Sequence, residues 1–349
     1  MNIQAIDLFC GVGGLTRGLL DAGISVIAGF DNDSTCRYAY EKNNCVHFNE
    51  RDVKTVHGQE LAALYDSNAI KVLVGCAPCQ PFSSMRSKLG IKNTMDEKYR
   101  LLLEFGRIIS ELKPDIISME NVPQLKKTGV YHEFLKVIED NGYLHNEGVV
   151  YCPDYGISQT RRRFVLLASK LGGEINLIPK ESGKAPTVAD VIERLPAIAA
   201  GDVCANDPLH RASKLSEKNL KRIQASIPGG SWKDWPEDLR CNCHQTASGE
   251  TYGSVYGRLM WDQIGPTITT QFYSYGTGRF GHPSQDRALS LREGAMFQTF
   301  PKDYDFIDPS VPFSFRRIAR HIGNAVPVKL GEIIGKSILK HVSEDTRID

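Results

Sequence analysis

The chain has 349 residues, 41% of them hydrophobic, which exceeds one ordinary domain and fits two domains sharing a chain. Its 42 basic and 41 acidic side chains exclude a globally basic protein, so a nucleic-acid partner would have to be met by a local patch. The nine cysteines show no secreted disulfide spacing, no run reaches the roughly 18 apolar residues of a membrane span, and the N-terminus lacks a secretory pattern; the expectation is a soluble, unexported protein of a reducing cytoplasm with no membrane partner.

In chain order, short apolar runs rich in β-branched residues predict buried strands at Ile3–Phe9, Ile24–Phe30, Ile70–Gly75, Asp115–Met119 and Phe164–Ala168. Between them, Leu101, Leu102, Phe105, Ile108, Ile109 and Leu112 recur on one helical face from about Lys98 until Pro114 ends the pattern. Alternating strands and helices predict a doubly wound α/β sheet. After about Pro179 glycine, proline, serine and isolated tryptophans take over, and Ile227–Trp235 and Leu239–Gly253 read as loops, which marks a second domain. An apolar helical face returns at Val328–Val342.

Five groups of residues carry chemistry. Asp7-Leu8-Phe9-Cys10-Gly11-Val12-Gly13-Gly14 is a strand entering a glycine turn, which permits close approach to a ligand or serves only the fold. Asp31, some twenty residues later at a strand end, stands where an acid accepts ribose hydroxyls, and Asp52 is either an adenine partner or a solvated loop acid. Gly75-Cys76-Ala77-Pro78-Cys79-Gln80-Pro81-Phe82-Ser83 follows a strand; a cysteine between two prolines has little backbone freedom and suits a nucleophile, although Cys76 and Cys79 also form a Cys-x-x-Cys pair that suits metal or redox chemistry. Glu120 ends another apolar run and reads as a functional acid at a strand's carboxyl end or as a half-exposed strand end paired with a lysine. Arg161-Arg162-Arg163 precedes a strand, its first and third members sharing one face.

Pro78-Cys79-Gln80, Glu120-Asn121-Val122, Gln159-x-Arg161-x-Arg163 and Gly323-Asn324 stand in the order found in DNA (cytosine-5)-methyltransferases of the bacterial restriction-modification type, and the chain resembles that family. The likeness takes in the glycine turn and Leu291–Pro301 and covers nearly everything except about Pro179–Gly257. It implies a doubly wound mixed sheet of the S-adenosylmethionine-dependent (Rossmann-like) methyltransferase type with a smaller inserted target-recognition domain. The large domain would comprise residues 1–178 plus 312–349 and the small one 179–311, with recognition in about 180–257. The implied reaction methylates carbon 5 of a flipped-out cytosine in a specific double-stranded DNA sequence through a covalent Cys79–C6 adduct. Glu120 would bind N3 and the exocyclic amine, Arg163 the O2, and Arg161 would assist near the addition site. S-adenosylmethionine, leaving as S-adenosylhomocysteine, would meet Phe9, Gly11, Gly14, Asp31, Asp52, Val53, Pro78, Leu101 and Asn324. Asn32 departs from the family pattern, in which an apolar or aromatic residue follows the acid.

Ser83–Met95, basic and free of acids, resembles the family's catalytic loop, and His210–Arg222 carries Arg211, Lys214, Lys218, Lys221 and Arg222 for phosphate contacts or a solvated face. Cys241-x-Cys243-His244 is irregular for zinc, and no metal is expected. A monomer in a bacterial cytoplasm is implied, sharing its site with a cognate restriction endonuclease without a stable complex. Three alternatives stand beside this reading: a tRNA cytosine-5 methyltransferase, whose Cys-Phe-Thr mark is absent; a catalytically silent DNA-binding relative, at odds with intact Cys79, Glu120 and Arg163; and a nicotinamide oxidoreductase, suggested only by the glycine turn.

Overall fold

The computed structural model describes residues 2–78, 97–181, 183–246 and 253–345. Two compact units emerge: Met1–Tyr155 with Arg162–Glu181 and Val326–Asp349, and Gly156–Arg161 with Ser182–Ala325.

The first unit is built on a seven-stranded sheet of β1 (Ile3–Leu8), β2 (Ser25–Asp31), β3 (Phe48–Glu50), β4 (Ile70–Gly75), β5 (Ile116–Asn121), β6 (Leu144–Tyr151) and β7 (Arg162–Ser169). Its order is β3-β2-β1-β4-β5-β7-β6, parallel through β5, with β7 antiparallel to both β5 and β6. The sheet is therefore mixed and of the expected α/β class. The five expected strands are present; β3 and β6 were missed. Three residues are too few to show a period, and β6 is an edge strand with an exposed face, whose Leu-His-Asn-Glu-Gly start lacks the apolar run of a central strand.

Among the described residues, this unit adds helices α1 (Gly14–Ala22), α2 (Arg37–Asn44), α3 (Gly58–Ala62), α4 (Glu97–Leu112), α5 (Gly129–Asp140) and, after four helices of the second unit, α10 (Val328–Asp345). They fall into two packed sets, α1 with α2 and α10, and α3 with α4 and α5. The strand period assigns the sets to opposite faces: Ile6 and Leu8 share a core with Phe105 and Ile109 of α4, while Asp7 between them bonds Thr16 of α1. Helix α4 ends where the sequence places its end, with Lys113 at φ 50° before Pro114. Helices α1 and α10 approach so closely that a β-carbon on Gly18 would lie 2.2 Å from the Val328 carbonyl oxygen.

Among its described residues, the second unit has one small hairpin, β8 (Val203–Cys204) with β9 (Asp207–Arg211), and short helices α6 (Val188–Ile192), α7 (Glu217–Gln224), α8 (Leu291–Phe297) and α9 (Phe315–Asn324). Single turns of 3-10 helix at Trp232–Asp234 and Asn242–Gln245 lie in the segments read as loops, and another, Glu237–Leu239, runs between them. With so little regular backbone pairing, buried guanidinium groups take up loop carbonyls. Arg258 donates to the carbonyls of Ile223, Ser226, His282 and Gln285 and pairs with Asp286. An aromatic cluster of Trp232, Trp235, Tyr256, Tyr275 and His244 forms around them, with His244 stacked 4.1 Å from Trp232 and its Nδ1 accepting the Cys241 N–H.

The unit boundaries differ from those expected. Helix α9 and residues 156–161 group with the second unit, and the chain rejoins the first at 326 rather than 312. Gln298 explains the shift, since its side-chain amide donates to the carbonyls of Ile322 and Ala325 and ties the end of α9 to the end of α8. No helix of the described residues is long and apolar enough to cross a membrane.

Candidate active site

Strand register brings the first cluster together. Gly75 of β4 lies opposite Met119 of β5, so the next residues, Cys76 and Glu120, meet at the carboxyl ends of their strands. There the Cys76 thiol donates to Glu120 Oε2 at 2.8 Å. On the other side β7 pairs Phe164 with Asn121, which sets Arg163 beside Glu120 with Nε 2.7 Å from Oε1. Arg163 also donates from Nη1 to the Arg162 carbonyl at 2.9 Å. The Asn121 amide donates to the Ala77 carbonyl and so holds the segment leading to Pro78 against β5.

Glu120 is 2% exposed, which corrects the half-exposed, lysine-paired alternative: its partners are an arginine and a thiol. Burial lifts its carboxyl above the usual range, while the Arg163 charge and the Cys76 hydrogen bond pull it back. Despite the ion-pair distance, Oε1 has no hydrogen bond of good geometry among the described residues. Cys152, near both Glu120 and Arg163, is a buried thiol pushed up to about 12, with burial outweighing Arg163, so it stays protonated.

Cys79 and the segment Ser83–Met95 lie outside the described residues, and Pro78 is the last described residue before them. Arg161, 1% exposed, is held within the second unit: its Nε donates to Gln159 Oε1 at 3.1 Å and a terminal nitrogen to the Ile268 carbonyl. The Gln159 amide in turn donates to Phe297 O and Gln298 Oε1.

The glycine turn forms a second group of residues. Phe9 and Gly11 both have positive φ, 61° and 50°, and a β-carbon on Gly11 would meet nothing within 4 Å, so open space borders the turn. Asp31, at the end of β2, anchors it: Oδ2 accepts the Gly11 N–H and Oδ1 the Asp33 N–H, both at 2.9 Å. A carboxylate oxygen can accept more than one hydrogen bond, so this group can still take a hydroxyl. Gly14 opens α1 and is buried. Asp52 caps a single helical turn by accepting the Lys54 N–H, with Val53 buried behind it. Leu101 packs half-buried on the same core. Asn324 ends α9 in the second unit and is exposed.

Sequence reasoning passed over Asp7 as a part of this turn's chemistry. Its carboxyl is buried in mid-strand, accepts the Thr16 hydroxyl at 2.7 Å, and is pushed up to about 7, burial outweighing that bond and nearby Asp31 adding to the rise. The signal was present: an acid inside an apolar strand has to find a partner.

Residues 3–340 match the family model for C-5 cytosine-specific DNA methylases. The chain belongs to that family. A Type II methylase, M.HgiDII of Herpetosiphon aurantiacus, is 52% identical over 95% of this chain and 94% of its own. The Type II methyltransferase M1.BsuMI of Bacillus subtilis is 32% identical over 95% of this chain and 79% of its own. Among solved structures, a putative DNA modification methyltransferase encoded within a prophage of E. coli superposes with a TM-score of 0.76 at 20% identity, covering 98% and 99% of the two chains. This enzyme thus transfers methyl groups to carbon 5 of cytosine in DNA, with the restriction-modification methylases as its kin and S-adenosylmethionine as the donor its family uses.

Of the basic residues expected at His210–Arg222, only part remains available for DNA. Arg222 is buried, donating to the Leu239 carbonyl and Asn219 Oδ1, and Arg211 lies 4.0 Å over the Phe313 ring; Lys214, Lys218 and Lys221 are exposed.

Proposed function

We propose that the methylase acts on a cytosine turned out of double-stranded DNA, with Cys79 as the nucleophile and the Glu120–Arg163 pair as the cradle of the base. The observation that carries this reading is the buried carboxyl of Glu120 at a strand's carboxyl end, gripped on one oxygen by a thiol and facing a guanidinium with the other. A buried acid paired with a single guanidinium edge suits a ligand that offers both a donor and an acceptor. Cytosine does so: its exocyclic amine and N3 match a carboxyl, and its O2 matches the remaining guanidinium N–H groups of Arg163. Thymine, with a carbonyl in place of the amine, would confront the carboxyl with a second acceptor.

Addition of the Cys79 thiolate to C6 makes C5 nucleophilic, and loss of the C5 proton afterwards expels the thiolate. Glu120 holds a proton at N3 during addition, and its raised proton affinity suits that task. The family resemblance gives Arg161 an assisting role, and its guanidinium is held by Gln159 Oε1 and the Ile268 carbonyl. The extrusion step is needed because C6 is unreachable in a stacked duplex.

S-adenosylmethionine, when bound, supplies the electrophilic methyl group. The residues fit it: the open space at Gly11 and the carboxylate of Asp31 at the strand end suit a nucleoside, with Phe9, Gly14, Asp52, Val53, Pro78, Leu101 and Asn324 as its further contacts. The specific sequence would be read by the second unit from about 180 to 257. The protein would act as a monomer in a bacterial cytoplasm, sharing its site with an endonuclease that it does not bind.

The test is transfer of a labelled methyl group from S-adenosylmethionine to unmethylated genomic DNA and, in parallel, to total tRNA. Label in DNA that disappears with Cys79→Ala supports the proposal. Label in DNA that survives Cys79→Ala removes the covalent step, and unchanged transfer by Glu120→Gln removes the role given to that acid.

A further inference from the structure

We infer that Cys76 is a positioning residue for Glu120: its thiol holds one carboxyl oxygen and thereby aims the other at the base. The inference rests on the role proposed for Glu120.

Cys76 stands three residues before Cys79 in a Cys-x-x-Cys pair that also suits redox or metal chemistry. Its position relative to Glu120 suggests another use. The β4–β5 register delivers it directly to that acid, and Sγ lies 2.8 Å from Oε2. The three groups around the carboxyl divide its work. Arg163 approaches Oε1 from β7, and the Asn121 amide fixes the Ala77 carbonyl, and with it the strand exit that carries Cys76. Oε2 takes its hydrogen bond from the thiol, so the carboxyl cannot rotate without breaking it, and Oε1 stays where it meets Arg163 without a well-directed hydrogen bond among the described residues. An acceptor that is buried, oriented and not yet saturated is what a donor-bearing base needs.

The thiol also biases the proton. A donor to Oε2 favours the ionised carboxyl over the neutral one, in opposition to burial. When Glu120 gives its proton to N3, the hydrogen bond from Cys76 strengthens on the carboxylate that results. Cys76 itself exchanges no proton and forms no bond to the base. Alanine in its place keeps the backbone and loses the donor; serine keeps a donor on a shorter bond.

The experiment is single-turnover methylation of unmethylated genomic DNA across pH by wild type, Cys76→Ala and Cys76→Ser, joined to an infrared titration of the Glu120 carboxyl in the DNA-free enzyme. Its band is identified by its disappearance in Glu120→Gln. Cys76→Ala is expected to be slower by about tenfold, equivalent to about 1.4 kcal/mol. Its Glu120 band and the alkaline limb of its rate profile both move to higher pH, and Cys76→Ser recovers most of both. A Cys76→Ala enzyme with wild-type rate and an unmoved band overturns the inference. So does a slowed enzyme whose band and alkaline limb stay in place, since Cys76 then only fills space. If Glu120→Gln methylates at the wild-type rate, the reading of Glu120 itself fails, and the infrared result still decides whether the thiol tunes that carboxyl.

Discussion

Asp7 offers a test that depends on the fold alone and needs no substrate. Its carboxyl has an ordinary value of 3.8 and is pushed up to about 7 in the folded chain, chiefly by burial. Between those values the folded state holds a proton that the unfolded chain has released, so Asp7 makes its full contribution below the unfolded value and loses it as pH rises through the folded one. From about pH 5 to about pH 8 the loss runs over some two pH units, which at roughly 1.36 kcal/mol each comes to about 3 kcal/mol. Asp7→Asn keeps a carbonyl oxygen for the Thr16 hydroxyl, which lies 2.7 Å from the present carboxyl, and removes the titration. Urea unfolding of both proteins at the two pH values should therefore show Asp7→Asn gaining about 3 kcal/mol on the wild type as pH rises. Removal of the like charge facing Asp31 acts in the same direction. A stability difference that does not vary with pH, or that moves against the variant, would mean that Asp7 is ionised in the folded chain and refutes the argument.

Three further outcomes follow from the geometry. A β-carbon at Gly18 would sit 2.2 Å from Val328 O and 2.4 Å from Glu332 N, both backbone atoms, so Gly18→Ala should cost about 2 kcal/mol or more in unfolding free energy as α1 and α10 are forced apart. Arg163→Lys keeps a charge but cannot serve Glu120, the Arg162 carbonyl and a base oxygen together; methylation rate should fall by about tenfold or more, with thermal unfolding nearly unchanged. Lys221→Ala should weaken binding to DNA of any sequence and lower the salt dependence by about one counterion, whereas Arg222→Ala, which empties a buried site, should appear as lost stability in a melting curve.

The parts legible from the sequence share a physical property. Central strands buried on both faces and α4, whose apolar face repeats over about three turns, carry their position in their own composition, and Pro114 signals the stop. Strand ends are legible for the same reason, which is why Cys76 and Glu120 could be assigned to the functional edge of the sheet. Their union was not legible. It comes from the pairing of Gly75 with Met119, a relation between residues 44 positions apart that no local pattern encodes. Edge strand β6 was lost because half of it faces water.

The second unit resisted reading for a different reason, and it changes how charge should be counted. A sequence assigns every arginine to the surface by default. Here Arg161, Arg222, Arg258, Arg287 and Arg292 are all buried in the second unit. Arg287 makes a two-pronged pair with Glu293 and Arg292 another with Asp207, while Arg258 binds four backbone carbonyls. These groups do the work that ladders do in a sheet, satisfying carbonyls of irregular chain with donors fixed in a planar fork. Because each guanidinium so used is withdrawn from solvent, the charge that can reach a phosphate is smaller than the composition suggests, and at Lys214–Arg222 it resides in Lys214, Lys218 and Lys221. A near-neutral chain can thus bind DNA through a few exposed lysines only if its buried arginines are counted with the scaffold, and the test that separates the two groups is whether a substitution moves the salt dependence of binding or the unfolding transition.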